Sequence, residues 1–271
     1  MRRSIFYVSC HTGISVETLG QGLLTQFHGI PFEHVLMPYV NTIERAHEAV
    51  AHIDAAAQHD GVRPIVFTTL ISSEVRRIVA QCNGLFFDFL GRFIEPLGEE
   101  LGVTPTPTVG LSHGMVDYER YKVRIDAVQF AQLNDEHLRV KDYDEADLIL
   151  VGVSRSGKTP TCLYLALQFG LRAANYTLQL AHLEGGELPV KLKPCRERLF
   201  GLTIDPERLH QIRNQRKPDS EYASLEQCRH ETQLAEQLLD AEGIPCANAT
   251  AVSIEEIATK ILHQCKLHRR I

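Results

Sequence analysis

The polar and apolar positions change period several times along the chain. Ile5-Phe6-Tyr7-Val8 is a short continuous apolar run, the signature of a buried strand. It ends in the polar turn Ser9-Cys10-His11-Thr12-Gly13. Val16, Leu19, Leu23, Leu24 and Phe27 then recur at helical spacing and predict an amphipathic helix with those five on one face. A second strand is predicted over 34–37, stopped by Pro38. An Ala-rich helix is predicted over 43–59, with Asn41 or Thr42 as its N-cap. Pro64-Ile65-Val66-Phe67-Thr68 reads as a third strand, and Ser72 or Ser73 as the cap of a helix reaching Val79. Strand and helix in alternation imply βαβ units and a parallel sheet.

That rhythm breaks over 103–108, where Pro105 and Pro107 lie in a stretch without apolar period. Proline fixes φ and restricts the residue before it, so the stretch reads as an extended linker. The predicted organisation is an N-terminal α/β domain with a parallel sheet, residues 1–105, and a C-terminal α/β domain, residues 106–271. The second begins with a helical segment over 117–133, its apolar face set by Tyr121, Ile125, Val128 and Leu133, and closed by Asn134-Asp135-Glu136.

Composition narrows the function classes. The chain has 271 residues, enough to bury a core without disulfide or metal staples. Lys and Arg number 28 against 34 Asp and Glu, a formal charge of -6, so nothing draws the whole surface to phosphate backbones or anionic membranes. Neither nucleic acid nor membrane is an expected partner. The seven cysteines are scattered with no C-x-x-C pair, which excludes a zinc-ribbon or thioredoxin reading and points to reduced thiols in the cytoplasm. The apolar run after Arg2 and Arg3 is too short for a signal-peptide core, and no 18-residue apolar run occurs.

The chemistry concentrates in the middle of the chain. Asp147-Leu148-Ile149-Leu150-Val151 reads as a buried parallel strand. It runs straight into Gly152-Val153-Ser154-Arg155-Ser156-Gly157-Lys158-Thr159, a complete G-x-x-x-x-G-K-[ST] phosphate-binding loop. A helical segment follows, with Pro160 in its first turn. Loop N–H groups and a helix N-terminus would face the anion, Lys158 would reach the terminal phosphates, and the Thr159 hydroxyl would bind magnesium. The carboxylate such a site calls for is Asp205, at the end of the apolar run 199–204, either as a magnesium ligand or as the N-cap of the helix opening Pro206-Glu207. His113, beside Gly114, is a candidate proton carrier. Arg208, Arg213, Arg216 and Lys217 form a local basic cluster, either a phosphate clamp or a solvated helix face. These residues alone reach as far as a P-loop phosphotransferase or nucleoside triphosphatase.

Residues 152–161, 164–166, 168–170, 172–176, 199–209, 222–225, 227–229 and 254–262 together resemble the bacterial phosphoenolpyruvate synthase regulatory proteins, close kin of the pyruvate, phosphate dikinase regulatory proteins. The resemblance implies a bifunctional enzyme. One direction phosphorylates and inactivates a threonine of the target synthase with ADP as donor. The other removes that phosphate with inorganic phosphate and releases pyrophosphate. It implies that residues 152–159 form the ADP site; from the residues' own chemistry, Thr159 and Asp205 are the expected magnesium ligands and Lys158, Asp205 and His113 the candidate catalytic residues. Gly157 favours phosphoenolpyruvate synthase as the target, because the dikinase type more often has Ser there. The same chemistry on pyruvate, phosphate dikinase, a small-molecule P-loop kinase, and a nucleotide-sensing switch are the alternatives. A homo-oligomer is compatible with all of them. The first turn departs from the family pattern: Ser9-Cys10-His11-Thr12-Gly13 stands where Ser-Asp-Gly-Thr is expected.

Overall fold

A computed structural model of the chain describes residues 3–105, 118–135 and 143–271. The fold is α/β, as the alternation of periods predicts, and divides into two compact units, Met1–Gly114 and Met115–Ile271.

The first unit holds strands β1 (Arg3–Ser9), β2 (Phe32–Met37), β3 (Ile65–Thr69) and β4 (Leu85–Asp88), all parallel, in the order β2-β1-β3-β4. Its helices are α1 (Ile14–Leu24), α2 (Ile43–Asp60), α3 (Ser73–Val79) and α4 (Gly91–Leu101). Side chains alternate across the pleat, so one strand feeds two cores. Ile5 and Tyr7 pack with Val16 and Leu24 of α1, whereas Phe6 and Val8 pack with Ala46, Ala49 and Ile53 of α2 and Val75 and Val79 of α3. Both predicted caps are made: Thr42 accepts from the Arg45 N–H and Ser72 from the Val75 N–H. The face of α1 differs from the prediction. Val16, Gly20 and Leu24 point inward, while Leu19, Leu23 and Phe27 are exposed. The outward Leu19 and Leu23 line an apolar groove with Phe93 and Leu97.

The second unit holds β5 (Leu148–Gly152), β6 (Ala173–Thr177), β7 (Leu199–Thr203) and β8 (Cys246–Asn248), again all parallel, in the order β6-β5-β7-β8. Around them lie α5 (Tyr118–Leu133), α6 (Lys158–Phe169), α7 (Leu180–Glu184), α8 (Pro206–Arg216), α9 (Leu225–Ala241) and α10 (Ile254–Gln264). Leu148 and Leu150 face α5, α6 and α10; Ile149 and Val151 face the opposite way, toward Leu239 of α9. All five residues of β5 are therefore buried, which is why the strand reads as an unbroken apolar run. Helix α5 buries Ala127, Phe130 and Ala131, not the predicted Tyr121 and Leu133, which are exposed. Ala127 and Ala131 pack with Cys162, Leu165 and Ala166 of α6, Phe130 fills space in the other core, and Tyr121 and Leu133 point to solvent. Among the described residues, no helix is long and apolar enough to cross a membrane.

Candidate nucleotide site

The loop 152–159 leaves the C-terminal end of β5, the inner strand with β6 on one side and β7 on the other. The chain reverses its direction of winding at such a strand, and α/β sheets bind ligands in the crevice this opens. The two loop glycines serve different needs. A Cβ on Gly152 would sit 2.3 Å from the backbone carbonyl oxygen of Leu202, so only glycine lets β7 pass so close. Gly157 has open space around it but φ of 91°, a left-handed conformation that side chains disfavour. Arg155 takes φ of 73° without being glycine, a strained backbone held at the loop's tip.

Gly157 is the N-cap position of α6 and offers no side chain to cap it. The first N–H groups of this 12-residue helix are accordingly left for an anion. Lys158 is only 3% exposed and donates to the Val153 carbonyl oxygen at 2.8 Å, curling its ammonium back over the loop. Ser156 is also buried, and its hydroxyl meets no partner among the described residues. The Thr159 hydroxyl donates to Asp135 Oδ1 at 2.8 Å, and Asn175 Nδ2 donates to the same oxygen at 2.7 Å.

Asp205 lies past the end of β7, at the N-cap position of α8, where Pro206 opens the helix. Its side chain makes no capping hydrogen bond. Instead Oδ1 accepts from Asn248 Nδ2 at 3.0 Å, and its backbone N–H donates to Thr250 Oγ1 at 2.7 Å. The carboxylate is exposed at the rim of the sheet.

The basic cluster does not hold together as a clamp. Arg208, Arg216 and Lys217 are exposed, but Arg213 is completely buried. Arg213 Nη2 pairs with Glu231 Oε2 at 2.6 Å and donates to the Ser154 carbonyl oxygen at 3.2 Å; Nη1 donates to the Tyr222 carbonyl oxygen at 3.0 Å. Its guanidinium stacks 4.1 Å from the Tyr222 ring, whose hydroxyl donates to Ser154 Oγ at 3.0 Å. Burial alone would lower the Arg213 pKa; the hydrogen bond and charge of Glu231 outweigh it and raise it, so the residue stays cationic. Arg213 is thus withdrawn from incoming phosphate and braces the loop from behind. His113 lies outside the described residues. Local sequence pattern does not single out Asp135, Asn175, Tyr222 or Glu231 as site residues. The polar run Asn134-Asp135-Glu136 reads as a helix stop, and a lone Asn inside an apolar strand was the one available signal.

Among the described residues, no group of three or more His, Cys, Asp or Glu side chains is close enough to hold a metal by itself. A hard cation here would draw part of its oxygen shell from phosphate, the habit of magnesium, and the hydroxyl and carboxylate of Thr159 and Asp135 are oxygen donors of the right kind.

The fold is thus an α/β protein that places a glycine-rich loop of phosphate-binding sequence, a buried lysine and a helix N-terminus without a side-chain cap at the end of one parallel strand. The sequence profile of the kinase/pyrophosphorylase family matches residues 5–262, and the chain belongs to that family. It is 49% identical over 271 residues to a protein of Hahella chejuensis, covering all of both chains. It is 50% identical over 270 residues to one of Alkalilimnicola ehrlichii, covering 98% of that protein. It is 47% identical over 269 residues to one of Marinobacter nauticus, covering 99% of each chain. The assigned description of all three is phosphoenolpyruvate synthase regulatory protein.

Proposed function

We propose that the chain regulates phosphoenolpyruvate synthase in the cytoplasm as an ADP-dependent serine/threonine kinase and a phosphate-dependent pyrophosphorylase. The observation that carries this is the loop itself: a P-loop with its lysine buried and its helix N-terminus open, in a family described by both activities. In the forward direction a threonine hydroxyl of the target attacks the β-phosphorus of ADP. The bond to the α,β-bridging oxygen breaks, AMP leaves, and the hydroxyl proton passes to a base. In reverse, inorganic phosphate attacks the phosphothreonine, and pyrophosphate departs as the threonine oxygen regains its proton.

Both directions develop charge on the same phosphoryl group, so one set of donors serves both. The first-turn N–H groups of α6 and the Lys158 ammonium neutralise that charge and orient the group. Bound magnesium would supply further charge neutralisation across the phosphates, with Thr159 and Asp205 offering oxygen ligands. ATP places a third phosphate where the attacking hydroxyl belongs, so it is expected to compete without donating.

The test is a donor screen with purified target synthase and ADP freed of ATP, labelled on the β-phosphate. Label on a target threonine with AMP as co-product supports the reading. Phosphothreonine formed with ATP and not with ADP overturns the donor, and transfer to a metabolite overturns the protein target.

A further inference from the structure

The carboxylate nearest the P-loop hydroxyl is not the one the loop's sequence suggested. Asp135 follows the C-terminal end of α5, 24 positions before Thr159 in sequence, yet its Oδ1 accepts the Thr159 hydroxyl proton at 2.8 Å. A threonine hydroxyl has one proton and two lone pairs. With the proton committed to Asp135 and one lone pair facing the Asn175 amide at 3.4 Å, the other lone pair remains to turn toward a cation. A second side chain holds the carboxylate in place. Asn175 stands in β6, fully buried, and gives its amide N–H to the same Oδ1 at 2.7 Å. Its Nδ2 also lies 3.4 Å from Thr159 Oγ1, so amide, carboxylate and hydroxyl form a closed triangle.

A helix C-terminus carries partial negative charge, which a divalent cation bound beside Asp135 would offset. Lys158 and Asp135 both act electrostatically on the buried Cys162 thiol in the first turns of α6, which puts the ammonium and the carboxylate in the same neighbourhood.

We propose that Asp135, held by Asn175, anchors the divalent cation of the nucleotide site, both by orienting the Thr159 hydroxyl and by supplying negative charge to the cation's shell. The proposal rests on the nucleotide-site reading above and assigns it a carboxylate from the turn after α5 in addition to Asp205.

The test is calorimetric titration of the full chain with ADP, and separately with ATP, each with magnesium and with chelator. Manganese binding is followed by electron spin resonance. For the wild type, magnesium is expected to tighten nucleotide binding. Asp135→Ala is expected to keep the metal-free affinity within about threefold and to lose most of the magnesium-dependent gain, with manganese affinity falling about 10–100-fold, as when a ligand's supporting shell is removed. Asp135→Asn keeps the shape and removes the charge, so it decides the matter if the alanine variant fails to fold. Asn175→Ala is expected to show a smaller loss of the same kind.

An undiminished magnesium gain in folded Asp135→Asn overturns the proposal. So does a gain lost in Asp205→Asn and kept in Asp135→Ala. If the wild type binds ATP but not ADP, the ADP reading falls while the Asp135 comparison proceeds on ATP. If it binds neither, both fall.

Discussion

Lys158 donates to the Val153 carbonyl oxygen of its own loop, which holds the buried ammonium against the loop backbone. Little side-chain freedom then remains to be lost when a phosphate binds there. Lys158→Ala removes that charge from both directions of the reaction, and each rate is expected to fall about 10²–10³-fold. Single-turnover rates for phosphorylation and for phosphorolysis check this; phosphorolysis at wild-type rate would separate the two activities into two sites. Gly152 makes a different kind of demand. In Gly152→Ala the new methyl meets the Leu202 carbonyl oxygen at 2.3 Å, and neither strand of the sheet can yield cheaply. Loss is expected in thermal stability as well as in nucleotide affinity, about 1–3 kcal/mol by the usual cost of overpacking. Gly157→Ala meets no atom and is charged only for its φ of 91°, about 1–2 kcal/mol. Unfolding midpoints of the two variants side by side show whether contact or conformation governs each glycine.

Between elements, the loop depends on a brace assembled from α8 and α9. Arg213 comes from α8, Glu231 from α9 and Tyr222 from the turn between them, and all three converge on Ser154 or on one another. Removing one partner of a buried pair strands the other charge. Glu231→Ala is therefore expected to cost about 3–5 kcal/mol in denaturant unfolding, whereas joint replacement of Arg213 and Glu231 by apolar residues recovers much of it. A single variant within about 1 kcal/mol of wild type would mean that solvent reaches the pair. This brace was illegible in the sequence, and the reason is physical. Arg213 stands in the polar stretch 210–217, and its partners Glu231 and Ser154 are 18 and 59 positions away. Local pattern found what local forces decide: the apolar strand β5, the loop with its glycines, and the caps Thr42 and Ser72. It misassigned the faces of α1 and α5, because there Gly20, Ala127 and Ala131 pack inward in place of larger residues. It passed over Asp135 for the same reason as Arg213, since a carboxylate after a helix looks like a stop until Thr159 and Asn175 arrive beside it.

Each of the two compact units buries a tyrosine in contact with its parallel sheet, and this gives the whole molecule a shared response to alkali. In the first, Tyr7 of β1 is fully buried, with its hydroxyl 2.8 Å from His34 Nδ1. Burial, aided by the negative charge of Glu17, pushes its pKa up to about 12. In the second, Tyr143 packs against Ile149 and Val151, and its hydroxyl donates to the Asn175 carbonyl oxygen at 3.4 Å. Burial and then the neighbouring Tyr176 raise its pKa as well. An unfolded tyrosine ionises near pH 10. Above that pH the unfolded chain releases phenolic protons that the folded chain keeps, so unfolding is favoured as pH rises. The stabilisation from Tyr7 is fully present below about pH 10 and disappears as pH climbs to about 12. The buried Cys162 thiol, raised mainly by desolvation, contributes with the same sign. Tyr7→Phe isolates one part of this response. It has no phenol to ionise, and it loses the contact with His34, so its melting temperature should lie below wild type at neutral pH. The gap should narrow from pH 10 upward, because only the wild type then pays for keeping a phenol protonated. Melting curves of both proteins across pH 7–11.5 make the comparison, and parallel curves over that range would show that Tyr7 titrates in the folded chain as it does in water.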